Sequence, residues 1–265
     1  MIWTDRRVLI FLINYIKGSD LRCFIIKKMK WVLIMDEVLR QEHKYLLSID
    51  QAWRVEKRVE SIITGDVHNS INGYLVRSLY FDTPDERDYN QKMDSIECRR
   101  KIRLRIYSPD DLYAKLELKQ KQGINQKKKS LKITKADACS LINGETKVLL
   151  KYNTDFAAEM YSLMNLFAYR PKVVIDYRRR AYICKENNIR ITFDSSICST
   201  ETNFDLFNRK LITLPVLAGD KQIMEVKYNH FLFSYIKDAL NIVGKSPTTF
   251  SKYTLSRQFT LGYNP

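Results

Sequence analysis

Polar and apolar side chains alternate along several short stretches of this chain, and a β-strand sends such alternating residues to opposite faces. Over residues 101–106 one face is Lys101, Arg103 and Arg105, and the other is Ile102, Leu104 and Ile106. Over 115–121 the polar face is Lys115, Glu117, Lys119 and Lys121. Over 189–194 it is Arg190, Thr192 and Asp194, and over 224–228 it is Glu225 and Lys227. Near the start, Arg40, Glu42 and Lys44 alternate with Gln41, His43 and Tyr45. Other stretches repeat at helical spacing. Asp50 is placed to cap a helix carrying Ala52, Val55, Val59 and Ile62. Residues 153–169 carry Phe156, Met160, Leu163, Met164 and Phe167 ahead of Pro171, 231–243 run up to Gly244, and 134–143 precede Gly144. These apolar stripes are read as core, and the pattern predicts an α+β fold dominated by antiparallel strands.

The polar faces carry the functional signal. One basic strand face is explained by water on one side of a sheet. Five are not, because like charges on neighbouring strands repel. An anion that neutralises them resolves the conflict. The prediction is therefore a closed antiparallel β-barrel with a charged interior, its apolar outer faces covered by helices.

Charge sharpens this picture. Lys and Arg outnumber Asp and Glu by 45 to 30 in 265 residues, a net charge of +15. Such an excess favours nucleic acid, an acidic membrane surface or a phosphorylated substrate. The aromatic–basic alternation of single-strand binders is missing, and so is any DNA-reading motif, which argues against sequence-specific nucleic acid. The run Lys127–Lys129 is read as a solvated hairpin tip. Five cysteines form no CxxC pair, which points to a reducing, cytoplasmic setting rather than a disulfide framework or zinc site. HExxH, GxSxG and Walker motifs are absent. Residues 1–34 differ from the rest: a nine-residue apolar run, too short to span a bilayer, gives way to scattered charges. This segment is read as an upstream extension with Met35 as the natural start. An amphipathic element on a membrane and an extra element of the fold stay open beside it. Residues 35–265 are read as one domain.

Eight stretches in order give the chain a family resemblance. They are Glu42-His43-Lys44-Tyr45, Ser78-Leu79-Tyr80-Phe81-Asp82-Thr83, Ile102-Arg103-Leu104-Arg105, Glu117-Leu118-Lys119, Tyr177-Arg178-Arg179-Arg180-Ala181-Tyr182, Arg190-Ile191-Thr192-Phe193-Asp194, Met224-Glu225-Val226-Lys227 and Phe250-Ser251-Lys252-Tyr253. In these the chain resembles the polyphosphate polymerase domain of the vacuolar transporter chaperone (VTC) family, within the triphosphate tunnel metalloenzyme superfamily. The resemblance implies a tunnel-shaped barrel that transfers the terminal phosphoryl group of ATP onto polyphosphate. Its alternatives are hydrolysis of a triphosphate and polyanion binding without catalysis. The partners implied are ATP and polyphosphate or triphosphate, with Mn²⁺ or Mg²⁺ as cofactor. A product that has to cross a membrane needs a separate membrane partner, at the inner face of that membrane.

Carried over by position, the resemblance implies Lys252, Arg103 and Arg105 as catalytic residues. It implies Lys44, Lys92, Lys119, Lys129, Arg179, Arg190 and Lys227 as phosphate-binding residues, and Glu225, Glu42 and Glu117 as metal ligands. Two features depart from the pattern. The superfamily's ExExK signature stands here as Arg40-Gln41-Glu42-His43-Lys44, and Thr249 occupies a place expected to be basic. Strict alternation also groups Arg179 with Val173, Ile175 and Tyr177. Either a bulge intervenes there, or Arg178 and Arg180 face the tunnel instead.

Overall fold

The computed structural model describes residues 40–262, apart from 124, 242–245 and 250. The expectations for residues 1–34 and for a helix stop at Gly244 lie outside the described residues. Eight strands form one antiparallel ladder, in the order β1 (Arg40–Ser48), β10 (Lys221–Asn229), β8 (Ile189–Thr200), β7 (Arg170–Cys184), β3 (Tyr74–Asp82), β4 (Arg99–Ile106), β5 (Tyr113–Gln122) and β6 (Asn125–Thr134). Two short strands extend it: β2 (Thr64–Gly65) pairs with β7, and β9 (Leu214–Pro215) pairs with β8. The ladder runs from β1 to β6. Among the described residues these two end strands are not paired with each other, so hydrogen-bonded closure of the barrel is not part of this pairing. The sheet nevertheless curls, because side chains from β1, β10, β7, β3, β4, β5 and β6 line one cavity.

Register sorts the side chains. Lys44 lies opposite Glu225, and Glu42 opposite Lys227. Glu225 lies opposite Thr192, and Arg179 opposite Asp194. Tyr80 faces Arg103, Arg103 faces Glu117, and Lys101 faces Lys119. Because the side-chain period is two, these polar residues share the inner face and their apolar neighbours share the outer one.

Two cores cover that outer face. Under β1, β10 and β8, Leu47, Ile191, Phe193, Met224 and Val226 pack on α1 (Ile49–Ile62) and α5 (Ser234–Leu240) through Val55, Val59 and Ile236. Under β3 to β6, Leu79, Phe81, Ile102, Leu104, Leu116 and Leu118 pack on α3 (Lys135–Ile142), a 3₁₀ turn (Thr146–Lys151) and α4 (Asp155–Leu166). Each of these side chains contributes about 1.5–3 kcal/mol of burial free energy, which holds the sheet to its helices. The remaining helices are α2 (Arg87–Met93) and α6 (Lys252–Thr260).

Several sequence expectations change in detail. Ser48, not Asp50, caps α1, and Gln51 completes a capping box. Ile62 is exposed at the helix end, and Glu56 takes an inner position instead, bound by Arg180 at 2.6 Å and Tyr182 at 3.0 Å. Residues 127–129 are not a hairpin tip but the middle of β6, and the turn falls near Gly123 with φ +56°. The predicted helices at 134–143, 153–169 and 231–243 are present but shorter, with Thr134 and Thr154 capping the first two.

β7 keeps its alternation. Val173, Ile175 and Tyr177 face inward together with Arg179, joining Val76, Tyr80, Ile197, Ile223 and Tyr253 in a third core cluster. The bulge sits on β8 instead, where Ser196 adopts φ +51° as the register with β7 shifts. The interior is thus part apolar plug and part charged cavity, which is why an apolar run shares a face with a phosphate-binding candidate. Gly73, just before β3, is tightly constrained. Its φ is +68°, and a Cβ there would lie 2.5 Å from the Arg179 carbonyl oxygen.

Candidate functional site

The inner face encloses a cavity of about 300 Å³. Its lining has twelve Lys and Arg residues against two carboxylates, Glu42 and Glu225. Strands supply most of it: Lys44 from β1, Lys101, Arg103 and Arg105 from β4, Lys119 from β5, Arg179 from β7 and Lys227 from β10. Lys92 comes from α2. Lys252 comes from the first position of α6, where Ser251 caps the helix by accepting from the Thr254 amide.

Three buried carboxylates divide these cations. Glu117 receives the Arg103 Nε at 2.6 Å, lies 3.9 Å from Arg105 and pairs with Lys128. Burial pushes Glu117 up, but Arg103, Arg105 and Lys128 outweigh it and hold the carboxyl well below the usual range. Asp194 binds Arg179 through both oxygens at 2.6 and 2.7 Å and accepts from Lys252 at 2.6 Å. The Lys252 ammonium also sits 4.6 Å from the Tyr177 ring centre. Glu225 pairs with Lys227, and Glu42 lies 2.9 Å from Lys44 and 3.7 Å from Lys227. Burial opposes ionisation of Glu225, yet Lys227, Lys44 and Arg179 keep it ionised.

Lys92, Lys101 and Lys119 form no ion pair with a carboxylate among the described residues, although Glu225 and Glu42 still act on Lys119. Burial, then Lys44, Lys92, Arg99 and Arg103, lower Lys101 to about 7. Burial, then Arg103 and Lys227, push Lys119 well down. Lys92 is lowered by burial and then by Arg99, Lys44 and Lys121. Three lysines without a paired carboxylate thus share one cavity, a place suited to an anion.

Of the residues expected from sequence, Lys44, Lys92, Arg103, Arg105, Lys119, Arg179, Lys227, Lys252, Glu42 and Glu225 meet at this cavity. Three stand elsewhere. Arg190 lies on the inner face opposite Lys227 but turns to Asp66 and the Tyr74 hydroxyl, both at 3.1 Å. Lys129 sits on the outer face of β6 and pairs with Glu159 of α4. Lys128, its neighbour, is the one whose ammonium reaches Glu117. Reading 126–132 as an alternating strand finds that residue. Glu117 faces inward but is occupied by Arg103 and Lys128 and is almost fully buried. Tyr80, which accepts from Arg103 at 3.0 Å, and Ser251, which accepts from Lys101 at 2.8 Å, were visible only as parts of matched stretches. Asp194 stood on a polar strand face with no role given.

The match to the VTC domain model covers residues 39–261. The chain belongs to the VTC-domain family. A search of curated proteins returns no match to this sequence. Solved structures similar to this VTC domain include a putative adenylyl cyclase from Hippeastrum described as having a dominant triphosphatase activity, at 13% identity and TM-score 0.49, covering 84% of this chain and 96% of that one. A putative adenylate cyclase from Bacillus halodurans aligns at 11% identity and TM-score 0.41, covering 85% and 92%. The PH1819 protein from Pyrococcus horikoshii aligns at 10% and 0.42, covering 83% and 99%.

The divalent cation implied for this VTC domain has a suitable donor set. Mg²⁺ is commonly held by one or two carboxylates together with substrate phosphates and water. Glu225 and Glu42 fit that pattern. Thr192, opposite Glu225 in register, has a buried hydroxyl with no hydrogen-bond partner. Among the described residues no group of three or more His, Cys, Asp or Glu gathers as a metal cage. No described helix is long and apolar enough to cross a membrane.

Proposed function

We propose that this VTC domain is a metal-dependent phosphoryl transferase that holds a linear phosphate chain in the cavity and passes the terminal phosphoryl group of ATP to polyphosphate. One observation carries this reading: a cavity lined by twelve Lys and Arg against two carboxylates, in which Lys92, Lys101 and Lys119 form no ion pair among the described residues. A chain of phosphates matches the charge, and its repeating oxygens match donors spread over several strands.

Phosphoryl transfer depends on positioning and charge neutralisation. Arg103 and Arg179 line the cavity and are fixed there by Glu117 and Asp194, so they meet a phosphate chain without reorganisation. Arg105 is steadied by Ser78 at 3.1 Å and the Tyr177 hydroxyl at 3.3 Å. Glu42 and Glu225 would hold the metal, and Lys44 and Lys227, which lie on them and line the cavity, would bind phosphate oxygens. When bound there, Mn²⁺ or Mg²⁺ would supply Lewis-acid stabilisation of the transferring group. Lys252, seated between Asp194 and Tyr177, is placed to neutralise charge on the bridging or terminal oxygens.

The test is one incubation with ATP and Mn²⁺, read by a polyphosphate-staining gel, ADP and free phosphate. A polymer ladder with matching ADP supports the reading. Free phosphate without polymer moves the cavity to triphosphate hydrolysis, and tight tripolyphosphate binding without turnover leaves a binding module.

A further inference from the structure

Lys101 has no assigned role, yet it lines the cavity close to several other cations. It is directly opposite Lys119 on β5. Its ammonium donates to the Ser251 hydroxyl at 2.8 Å and lies 5.9 Å from the Tyr253 ring centre, at the start of α6. The charges facing it are Lys44 from β1, Lys92 from α2, and Arg99 and Arg103 from its own strand. One acid acts on it from α2, Asp88, but that carboxyl is itself buried, accepts from the Tyr169 hydroxyl at 3.0 Å and is raised to about 7 by burial and Asp82. No carboxylate is within ion-pair distance of Lys101 among the described residues, whereas Arg103, Arg179, Lys44, Lys227 and Lys252 each have one.

We propose that Lys101 is a further phosphate-binding residue and that an oligophosphate entering the cavity draws one proton from solution onto the Lys101 side-chain nitrogen. This inference rests on the proposed phosphate-chain reading of the same cavity. Its physical cause is crowding. Burial and four neighbouring cations disfavour a further charge and lower Lys101 to about 7. A polyanion reverses the local potential. The amine lone pair then takes a proton from the buffer, and the resulting ammonium donates to phosphate oxygen. No other bond changes. Above pH 7 the anion therefore meets a cavity that adjusts its charge as it fills. Proton uptake on binding and weaker binding at higher pH are two faces of the same linkage.

Calorimetric titration of the full chain with tripolyphosphate, in metal-free buffers of different ionisation enthalpy at pH 8.5, counts the protons. Protons belonging to the ligand appear equally in every variant and cancel in the comparison. The wild type is expected to take up about one proton more than Lys101→Arg or Lys101→Met. Lys101→Arg, always charged, keeps tight binding and flattens its dependence on pH between 7 and 9. Lys101→Met loses roughly tenfold or more in affinity at pH 6.5. Equal proton uptake in all three proteins, or undiminished affinity in Lys101→Met, overturns the inference alone. Failure of the wild type to bind tripolyphosphate overturns the functional reading and this inference together.

Discussion

Glu117 on the β4–β5 wall and Glu225 on the β1–β10 wall are both buried inward-facing glutamates held well below the usual carboxylate range. Their partners separate them. Glu117 is gripped by an arginine fork, backed by Arg105 and closed off by Lys128. Glu225 is held by Lys227, with Lys44 across the strand pair, and it lines the cavity. Arginine is rigid, permanently charged and multiply bonded, while lysine is a mobile point charge that can change partners. The first wall is therefore scaffold that aims Arg103. The second is a lysine–glutamate pair on the cavity surface, the place where the proposed function puts metal and phosphate.

The largest expected effect follows from breaking the scaffold. Glu117→Ala strands a buried Arg103, and loss of one member of a buried pair costs about 3–5 kcal/mol. Thermal unfolding should fall by roughly 10 °C, with part of the loss restored by tripolyphosphate, which supplies the missing negative charge. An unchanged melting temperature would remove the distinction between the two walls.

Glu225→Gln should do the opposite. It leaves melting within a few degrees but abolishes the response of turnover to Mn²⁺. Turnover that still rises with Mn²⁺ would move the metal off this wall. Arg105→Gln sits between the two: it keeps the fold, and tripolyphosphate affinity drops by about ten- to a hundredfold, since a charge-assisted bond contributes roughly 1.5–3 kcal/mol. Equal affinity would show that this side chain serves only Ser78 and Tyr177.

pH sharpens the comparison further. Glu117, Glu225 and Asp194 have folded values below their unfolded ones, so their stabilisation is present above about pH 4 and is lost as pH falls through the folded values. Lys101 acts with the same sign in a higher window. Its folded value, about 7, is below the unfolded value near 10.4, so the unfolded chain binds more protons between them and stability rises with pH across that window. In Lys101→Met the rise above pH 7 should shrink, and denaturant titrations at pH 7 and 9.5 measure it. The smallest effect belongs to Lys129→Gln. An outer-face pair with Glu159 is worth at most about 1 kcal/mol, and tripolyphosphate binding should not change. A large loss of affinity there would bring the outer face of β6 into the site.

Much of this was legible in the sequence because period-two alternation is local. The inner faces of β1, β4, β5, β8 and β10 were read directly, and register could then bring Lys44 to Glu225 and Arg103 to Glu117. What escaped was decided by partners distant in sequence. Lys129 and Lys128 differ only by which side of β6 they occupy, and three consecutive lysines hide that parity. Glu117 looked like a metal ligand because nothing local reveals that Arg103 and Lys128 already fill its oxygens. The apolar half of the interior escaped for a similar reason. Val173, Ile175 and Tyr177 resemble an outward core face until the docking of Tyr253 from α6 shows an inward one. Lys101 was placed on the right face but given no role, since its lack of a counter-charge is a property of the assembled cavity.

The pairing of β1 with β10 has a consequence for how the chain is made. Ser48 of β1 meets Lys221 of β10, so one wall waits for more than half of the polypeptide to be synthesised. At about 5–20 residues per second that delay is on the order of 10–40 s. From the synthesis of Gln122 until residue 221 follows, the basic faces of β4 and β5 are translated but unenclosed, exposed to any phosphate-bearing polymer near the ribosome. Long-range strand pairing is also intrinsically slow. The inner basic face is thus completed late, when β10 docks beside β1, and a nascent chain that stalls before residue 221 would present it as an open polycation.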